Sequence, residues 1–297
     1  MRSIVSRVIP KSVKQKIRQS SFLERRYGRK FARTSKRIDI CAAQFAHFFH
    51  LGGLGSIEGK TCLEIGSGWV LSHALVCYLM GAKRVVATDI LPHAQPKLIR
   101  DSIQNAVIYI PREILAPFGD HSRLRHRTNI IQEIKNFSFE ELEKLGIEYQ
   151  SPVDFSCQKL DIKADLIFSF SVLEHVARED IQNLLINAAD ILSDEGSMIH
   201  EIHLEDHLNF HQDPFAFFTL PASSYGREKQ GSRGNRIRYS EWLRIFQSIP
   251  NTVSRPLYAH RRVDKPFPER IDPSIVHTGE DDLRVSHVGM ITRKSKS

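Results

Sequence analysis

Residues 61–89 constrain the fold more than any other part of the chain. A short apolar segment, Thr61 to Ile65, is followed at once by Gly66-Ser67-Gly68, and residues 69–80 are apolar on most faces, as in a buried helix. Arg84 to Thr88 is a second apolar segment, rich in β-branched residues and ended by Asp89. This order of strand, glycine turn, helix and strand predicts two parallel strands joined by a right-handed crossover.

The chemistry of this unit indicates a nucleoside ligand that carries a negative group. Glycines at the end of a strand let the backbone approach a ligand closely, and the N-terminus of the next helix favours an anion. Asp89 lies at the tip of the neighbouring strand, where a carboxylate can accept hydrogen bonds from both hydroxyls of a ribose. Dinucleotides and other nucleoside cofactors both fit this description.

The glycine turn separates these two ligand classes. A dinucleotide enzyme would have glycine at the sixth position of Gly-x-Gly-x-x-Gly, where this chain has Leu71. Residues 64–68, Glu-Ile-Gly-Ser-Gly, instead resemble the first motif of class I methyltransferases, acid-x-Gly-x-Gly. Many members have a third glycine, which is Val70 here. The resemblance implies S-adenosylmethionine as the cofactor, and it implies these contact residues: Glu64, Gly66, Ser67, Gly68, Asp89 and Ile90.

A second segment strengthens the resemblance. Residues 165–176, Asp-Leu-Ile-Phe-Ser-Phe-Ser-Val-Leu-Glu-His-Val, are similar to the fourth strand and following turn of many small-molecule methyltransferases. Ser169 in that strand is then a further cofactor residue. Later strands are predicted at 197–203, 253–258 and 285–292. The resemblance implies an α/β fold with a Rossmann-like, doubly wound, seven-stranded and mostly parallel sheet, whose last strand is antiparallel and lies between the fifth and the sixth.

The connection between Asp89 and the third strand is long. We place that strand at 153–157, and a separate helix at 138–146, capped by Ser138 and stopped by Gly146. Asp161 is the nearest candidate for an acid beside the adenine, although it could equally face solvent. The methyltransferase domain is predicted to span 38–297, with insertions at about 93–150 and 206–240.

The second insertion is expected to shape the acceptor site. It holds several aromatic residues and a basic, glycine-rich stretch, followed by Asn235-Arg236-Ile237-Arg238 and by a helix for which Ser240 is a plausible N-cap. A subset of bacterial methyltransferases resembles this arrangement and is often associated with glycan or cell-envelope synthesis. Arg236 and Arg238 can therefore pair with a carboxylate or phosphate of a glycan or other small polar acceptor. The alternative is that the aromatic residues form a satellite core and the arginines face water.

Histidines supply the candidate catalytic groups. His207 and His175 should both emerge at carboxyl ends of strands beside the cofactor, where a base can take the acceptor's proton. His175 could alternatively only fix its turn. No metal is predicted, because His200 and His203 point to opposite faces of a strand and cannot easily bind one ion.

Charge is concentrated at the N-terminus. Residues 1–40 hold 13 Lys or Arg against Glu24 and Asp39, whereas the rest of the chain has 29 basic and 32 acidic residues. A nearly neutral body argues against nucleic acid as a partner. Residues 1–37 are predicted to be a basic amphipathic arm that either packs on the domain or lies on an anionic membrane surface. Transit peptide and RNA contact are less favoured.

The location and the competing functions follow from the remaining features. Four cysteines without Cys-x-x-Cys pairing and the lack of a long apolar run indicate free thiols and a cytoplasmic protein, with the inner membrane face as the place of any peripheral contact. Methyl transfer is the preferred function. An NAD-type oxidoreductase and a non-catalytic scaffold with the same fold are the alternatives.

Overall fold

A seven-stranded sheet forms the centre of the computed structural model, which describes residues 37–106, 115 and 119–295. Its strands are β1 (Thr61–Ile65), β2 (Arg84–Thr88), β3 (Ile147–Gln150), β4 (Ala164–Phe170), β5 (Leu192–His203), β6 (Thr252–Arg261) and β7 (Val285–Lys294). Their order across the sheet is β3-β2-β1-β4-β5-β7-β6. β7 is antiparallel to both of its neighbours and the other pairs are parallel. The predicted fold class is confirmed, whereas the predicted arm lies almost entirely outside the described residues.

Helices cover both faces of this sheet. They are α1 (Arg37–Gly52), α2 (Ser72–Leu79), α3 (Pro96–Ala106), α4 (His121–Glu133), α5 (Phe139–Lys144), α6 (Ile181–Asp190), α7 (Arg227–Arg233), α8 (Tyr239–Gln247) and α9 (Glu280–Leu283). Residues of α1 to α4 pack on one face with Cys62 and Leu166, and residues of α6 and α8 pack on the other with Leu63 and Ile167. Because successive strand residues point to opposite faces, strands buried on both sides are apolar throughout.

The unit that the sequence singles out is formed largely as predicted. β1 and β2 have the expected bounds. The helix after the glycine turn begins at Ser72 rather than at Trp69, because residues 69–71 form a turn that ends with Leu71 in the left-handed region, at φ 49°. Gly81, at φ +106°, follows the helix as expected, and its N–H donates to the carbonyl oxygen of Tyr78 at 3.0 Å.

The predicted third strand at Val153–Cys157 is wrong. The third strand is β3, which pairs with β2 in the register Val85 to Ile147. It follows α5 after only Leu145 and Gly146, and the carbonyl oxygen of Gly146 already accepts a hydrogen bond from the N–H of Val85 at 2.7 Å. The N-cap of α5 is confirmed, since Ser138 Oγ accepts from the N–H of Glu141 at 3.3 Å.

Ser240 does not cap α8, contrary to prediction. The helix begins one residue earlier, at Tyr239, and the backbone N–H and Oγ of Ser240 donate to the two carboxylate oxygens of Asp282 at 2.8 and 2.5 Å. The four cysteines are free thiols. Within the described ranges, no helix is both long enough and apolar enough to cross a membrane.

Candidate functional site

The carboxyl ends of β1, β2 and β4 open into one cavity of about 1060 Å³. Its wall is formed by the glycine turn after β1, the tip of β2, the segment 153–156, the turn 171–177 after β4, and His203, His207 and Phe210. Small-molecule sites commonly measure about 300–1,000 Å³, so this cavity is large enough for a cofactor and a second ligand side by side.

Asp89 organises the glycine turn from the tip of β2. One of its carboxylate oxygens accepts the N–H of Gly68 at 2.8 Å and the other accepts the N–H of Leu91 at 3.0 Å. Each oxygen keeps a further lone pair, and the residue lines the cavity, so the carboxylate remains available to ribose hydroxyls. Ile90 beside it also lines the cavity and is 57% exposed there.

The turn itself requires glycine at its first position. Gly66 has φ +77°, and a Cβ at this position would lie 2.5 Å from Cγ2 of Val172 in the turn after β4. The backbone N–H groups of Gly66 and Ser67 both donate to the carbonyl oxygen of Thr88 at 2.9 Å. The glycine turn is therefore held from the β2 side by hydrogen bonds and from the β4 side by packing.

Two buried polar atoms near the turn fit an amino-acid ligand. Glu64 Oε2 and Ser67 Oγ are buried without a hydrogen-bond partner among the described residues. Glu64 lies behind the cavity wall, with Oε1 at 3.5 Å from Nδ1 of His73. Unpaired buried polar groups are costly unless a ligand or water satisfies them, so these atoms fit the amino and carboxyl groups of a methionine moiety.

The two candidate catalytic histidines lie together at the other end of the cavity. The rings of His175 and His207 are 4.4 Å apart between centroids, and both line the cavity. Nδ1 of His175 lies 2.8 Å from the carbonyl oxygen of Gly231. Burial lowers the pKa of His207 to about 3 and also lowers the pKa of His175, so both imidazoles are neutral at neutral pH.

Glu174 lies directly beside this pair, and no role of its own is predicted for it from the sequence. It is 1% exposed, and its Oε1 is 3.5 Å from Nε2 of His207 and accepts the N–H of His203 at 3.2 Å. Burial raises the pKa of Glu174 to about 8. In the sequence, Glu174 is marked by its place in the predicted turn Leu173-Glu174-His175. Its contacts with His203 and His207 are known only from the folded chain.

A second polar group adjoins the first. Nε2 of His203 is 2.8 Å from Glu205 Oε2, and the His203 ring stacks on that of His287 at 4.2 Å. Nε of Arg262 donates to Glu205 Oε1 at 2.8 Å. His203 and His287 meet because β5 and β7 place them opposite each other, which sequence spacing does not reveal.

Two predicted cofactor residues lie outside the cavity wall. Asp161 is exposed and lies outside the cavity wall, where Asp154 is found instead. Ser169 is fully buried, and its Oγ is 2.8 Å from Nδ1 of His200 on the neighbouring strand. Its hydroxyl serves the pairing of β4 with β5 and does not reach the cavity.

Arg236 and Arg238, the predicted acceptor ligands, are also buried outside the cavity wall. Both Nη atoms of Arg238 donate to the carbonyl oxygen of Leu204, at 2.9 and 2.8 Å, and the side chain is fully buried. Arg236 donates to the carbonyl oxygen of Leu220 at 2.6 Å and lies 3.8 Å above the ring of Tyr225. The aromatic residues do form a satellite core, as the alternative proposed, but the arginines hold it together instead of facing water. From the same insertion, Arg227 and Gly231 of α7 line the cavity.

Comparisons with known proteins identify the family of this chain. A family model described as a methyltransferase domain matches residues 29–252. One similar solved structure is an S-adenosylmethionine-dependent methyltransferase from Mesorhizobium loti, 15% identical, with 84% of this chain and 98% of that chain covered and a TM-score of 0.45. Another is an N-methyltransferase from Bradyrhizobium japonicum in complex with S-adenosyl-L-homocysteine, 12% identical, with 86% of each chain covered and a TM-score of 0.42. No curated protein sequence matches.

Proposed function

Since the chain belongs to the methyltransferase domain family and S-adenosylmethionine is its cofactor, we propose that it transfers a methyl group to an oxygen or nitrogen of a small polar acceptor. We further propose a glycan or cell-envelope precursor as the acceptor class. The observation that carries the proposal is that a single cavity joins the glycine turn and Asp89 at one end to His175 and His207 at the other.

The residues at the first end fit the cofactor. Asp89 would hold the ribose, the turn Gly66–Gly68 the methionine portion, and Glu64 its amino group, while Ile90 would pack against the base. When bound, S-adenosylmethionine supplies an electrophilic methyl group on a positively charged sulfur. Glu64 places a carboxylate behind the turn, and Phe170 adds an apolar wall that limits water at this end.

The histidine pair acts on the acceptor. An acceptor hydroxyl or amine loses one proton when its oxygen or nitrogen gains the methyl group. Both rings line the cavity and are neutral, and a neutral imidazole has one nitrogen that can take up that proton. His175, with Nδ1 bonded to Gly231, presents its other nitrogen from a fixed orientation.

The proposed acceptor class is supported by residues 206–240. Their pattern resembles that of bacterial methyltransferases associated with glycans and the cell envelope. The buried Arg236 and Arg238 stabilise the aromatic cluster of this segment. Helix α7 of the same segment lines the cavity. Arg227, at the cavity wall, forms an ion pair with Asp180, which places polar groups where a hydroxyl-rich acceptor would enter.

Calorimetry with S-adenosylmethionine and with NAD tests the proposal. We expect binding of S-adenosylmethionine alone, loss of that binding in Asp89→Ala, and unchanged binding in Asp161→Ala, whose carboxylate lies outside the cavity. Absence of S-adenosylmethionine binding by the wild-type protein would contradict the proposal, and binding of NAD would favour the oxidoreductase alternative.

The acceptor class needs a separate experiment. Mass spectrometry of cell-envelope glycans and small metabolites, with and without the gene, should show a species that lacks one methyl group when the gene is absent. Loss of methylation on some other class of molecule would support methyl transfer and contradict the proposed acceptor class. A protein that binds the cofactor but never turns over would instead favour the scaffold alternative.

A further inference from the structure

We propose that Glu174, His175 and His207 bind a divalent cation of the Mn²⁺ or Zn²⁺ type at the acceptor end of the cavity. One carboxylate oxygen and one ring nitrogen from each histidine all lie within 4.8 Å of one another. Metal–ligand bonds of this kind measure about 2.0–2.2 Å, so ligands on opposite sides of one ion are about 4 Å apart. Small side-chain shifts are enough to bring all three atoms onto a single ion.

Two buried atoms of this group lack a hydrogen-bond partner. Glu174 Oε2 and His207 Nε2 are both buried without a hydrogen-bond partner among the described residues, and Glu174 is 1% exposed. A buried carboxylate oxygen beside an unpaired imidazole nitrogen is a costly arrangement in a protein interior. A cation satisfies both atoms at once, because each presents a lone pair.

His175 is held in the form that a cation requires. Its Nδ1 lies 2.8 Å from the carbonyl oxygen of Gly231, and because a carbonyl can only accept, Nδ1 carries the proton. Nε2 of the same ring therefore keeps its lone pair. A backbone carbonyl on the far nitrogen is also the usual second partner of a metal-bound histidine, where it fixes the ring orientation.

The neighbouring group of His203, Glu205 and His287 satisfies the same distance criterion but is less suitable. Both carboxylate oxygens of Glu205 are already engaged, one by His203 and the other by Arg262, each at 2.8 Å. The positive guanidinium of Arg262 also repels a cation. Of the two groups, Glu174, His175 and His207 are therefore the better candidates for binding a cation.

The donor set indicates the kind of ion and its role. Two imidazoles and one carboxylate favour Mn²⁺, Fe²⁺ or Zn²⁺ over Mg²⁺, and three protein ligands leave positions open for water or substrate. If the proposed methyl transfer is correct, an acceptor oxygen can occupy an open position, where the cation lowers the pKa of its proton. His207 would then serve as a ligand, and the acceptor proton would leave to water.

The site is tested by titrating the full-length protein with MnCl₂ and ZnCl₂ in a calorimeter, with electron paramagnetic resonance to follow bound Mn²⁺. We expect about one cation per chain. His175→Ala and His207→Ala should each weaken the affinity by more than about 100-fold, since removal of even an outer partner of a metal ligand weakens it 10- to 100-fold. Glu174→Gln, of nearly the same shape, should do the same.

Two controls keep the test specific. His126→Ala removes an exposed histidine on α4 and should bind the cation like the wild type. His287→Ala disables the neighbouring group and should also retain binding. Thermal unfolding and S-adenosylmethionine binding show whether each variant is folded.

Two outcomes would overturn the site. These are the absence of saturable binding by the wild type, or a loss in His287→Ala as large as that in His175→Ala. Neither outcome depends on methyl transfer, so failure of the cation site and failure of the proposed function are separate results.

Discussion

Gly66 is the residue at which the cofactor turn is least tolerant of change. Its φ of +77° is unfavourable for other residues, and a Cβ would lie 2.5 Å from Val172. We expect Gly66→Ala to lower the free energy of unfolding by about 1–3 kcal/mol, as strain and overpacking combine. We also expect it to weaken S-adenosylmethionine binding at least about tenfold, a change of about 1.4 kcal/mol.

Gly55→Ala is the matched control for this substitution. Nothing lies within 4 Å of a Cβ at Gly55. Urea unfolding and calorimetry on both variants measure the two effects. Equal cofactor affinity in Gly66→Ala and the wild type would show that the turn does not contact the cofactor.

Substitution of Arg238 tests whether this buried arginine stabilises the fold. Its guanidinium donates twice to the carbonyl oxygen of Leu204 and lies 4.9 Å from the ring centroid of Phe218. Arg238→Ala should lower the free energy of unfolding by about 3 kcal/mol, from the lost hydrogen bonds and the space left behind. S-adenosylmethionine affinity should stay the same in the folded variant.

Arg125→Ala, which removes an exposed arginine from α4, should change the stability by less than about 0.5 kcal/mol. Chemical denaturation compares the two variants. An Arg238→Ala protein of wild-type stability that has lost turnover would restore the predicted role of Arg238 in acceptor binding.

At the residue scale, the sequence predicts a ligand contact best where the backbone dictates it. Gly66 and Asp89 follow from the ends of predicted strands, and His175 and His207 follow from the same reasoning, so the structure brings all four to one cavity. Arg238 has the same chemistry as a phosphate-binding arginine. Only the folded chain shows that its partner is a backbone carbonyl oxygen.

The pairing of β4 with β5 buries a histidine. His200 lies opposite Ser169 in this pair and is fully buried, and burial lowers the pKa of His200 to about 3. The unfolded chain has an ordinary histidine pKa near 6.5. Between pH 6.5 and about 3 the unfolded state therefore binds a proton that the folded state does not.

We accordingly expect this histidine to lower the free energy of unfolding as pH falls through that window, by up to about 1.4 kcal/mol per pH unit, and to have no such effect above pH 6.5. His200→Asn should be less stable at pH 7 and should lose this part of the slope, while His126→Asn should keep it. Urea unfolding at pH 7, 6 and 5 measures the slopes. Parallel slopes for the wild type and His200→Asn would refute the prediction.

At the element scale, the sequence predicts the buried strands well and the exposed strand poorly. β1 and β2 are covered on both faces, so their residues are apolar and their bounds are correct. β3 is an edge strand with mostly half-buried residues, which gives it a weak apolar signal. Val153 and Phe155 give a stronger apolar signal than β3, although they are not part of a strand. They are apolar because they line the ligand cavity.

The net positive charge of the chain comes from one segment. Residues 1–40 carry 13 of the 42 basic residues and only two acidic ones. We propose that this segment contacts anionic membrane surfaces. Deletion of residues 1–36 should then lower binding to liposomes that contain phosphatidylglycerol and leave S-adenosylmethionine affinity unchanged.

Sedimentation with liposomes measures this effect. Neutral phosphatidylcholine liposomes are the control, and added salt should weaken the binding of the full chain because it screens surface charges. Equal binding of the full and shortened chains to the anionic liposomes would contradict the proposed membrane contact.

The position of β7 between β5 and β6 also sets an order of events in folding. β7 pairs with a strand far earlier in the chain, as His200 with Met290, whereas β1 and β2 are neighbours in sequence. Closing long loops slows folding, so the pairing of β1 with β2 should form before the pairing of β5 with β7. β6 joins the described sheet through β7 alone, so it is attached to the rest of the sheet only when β7 has paired with β5. Its backbone amides should therefore exchange their hydrogens with solvent sooner than those of β5 and β7.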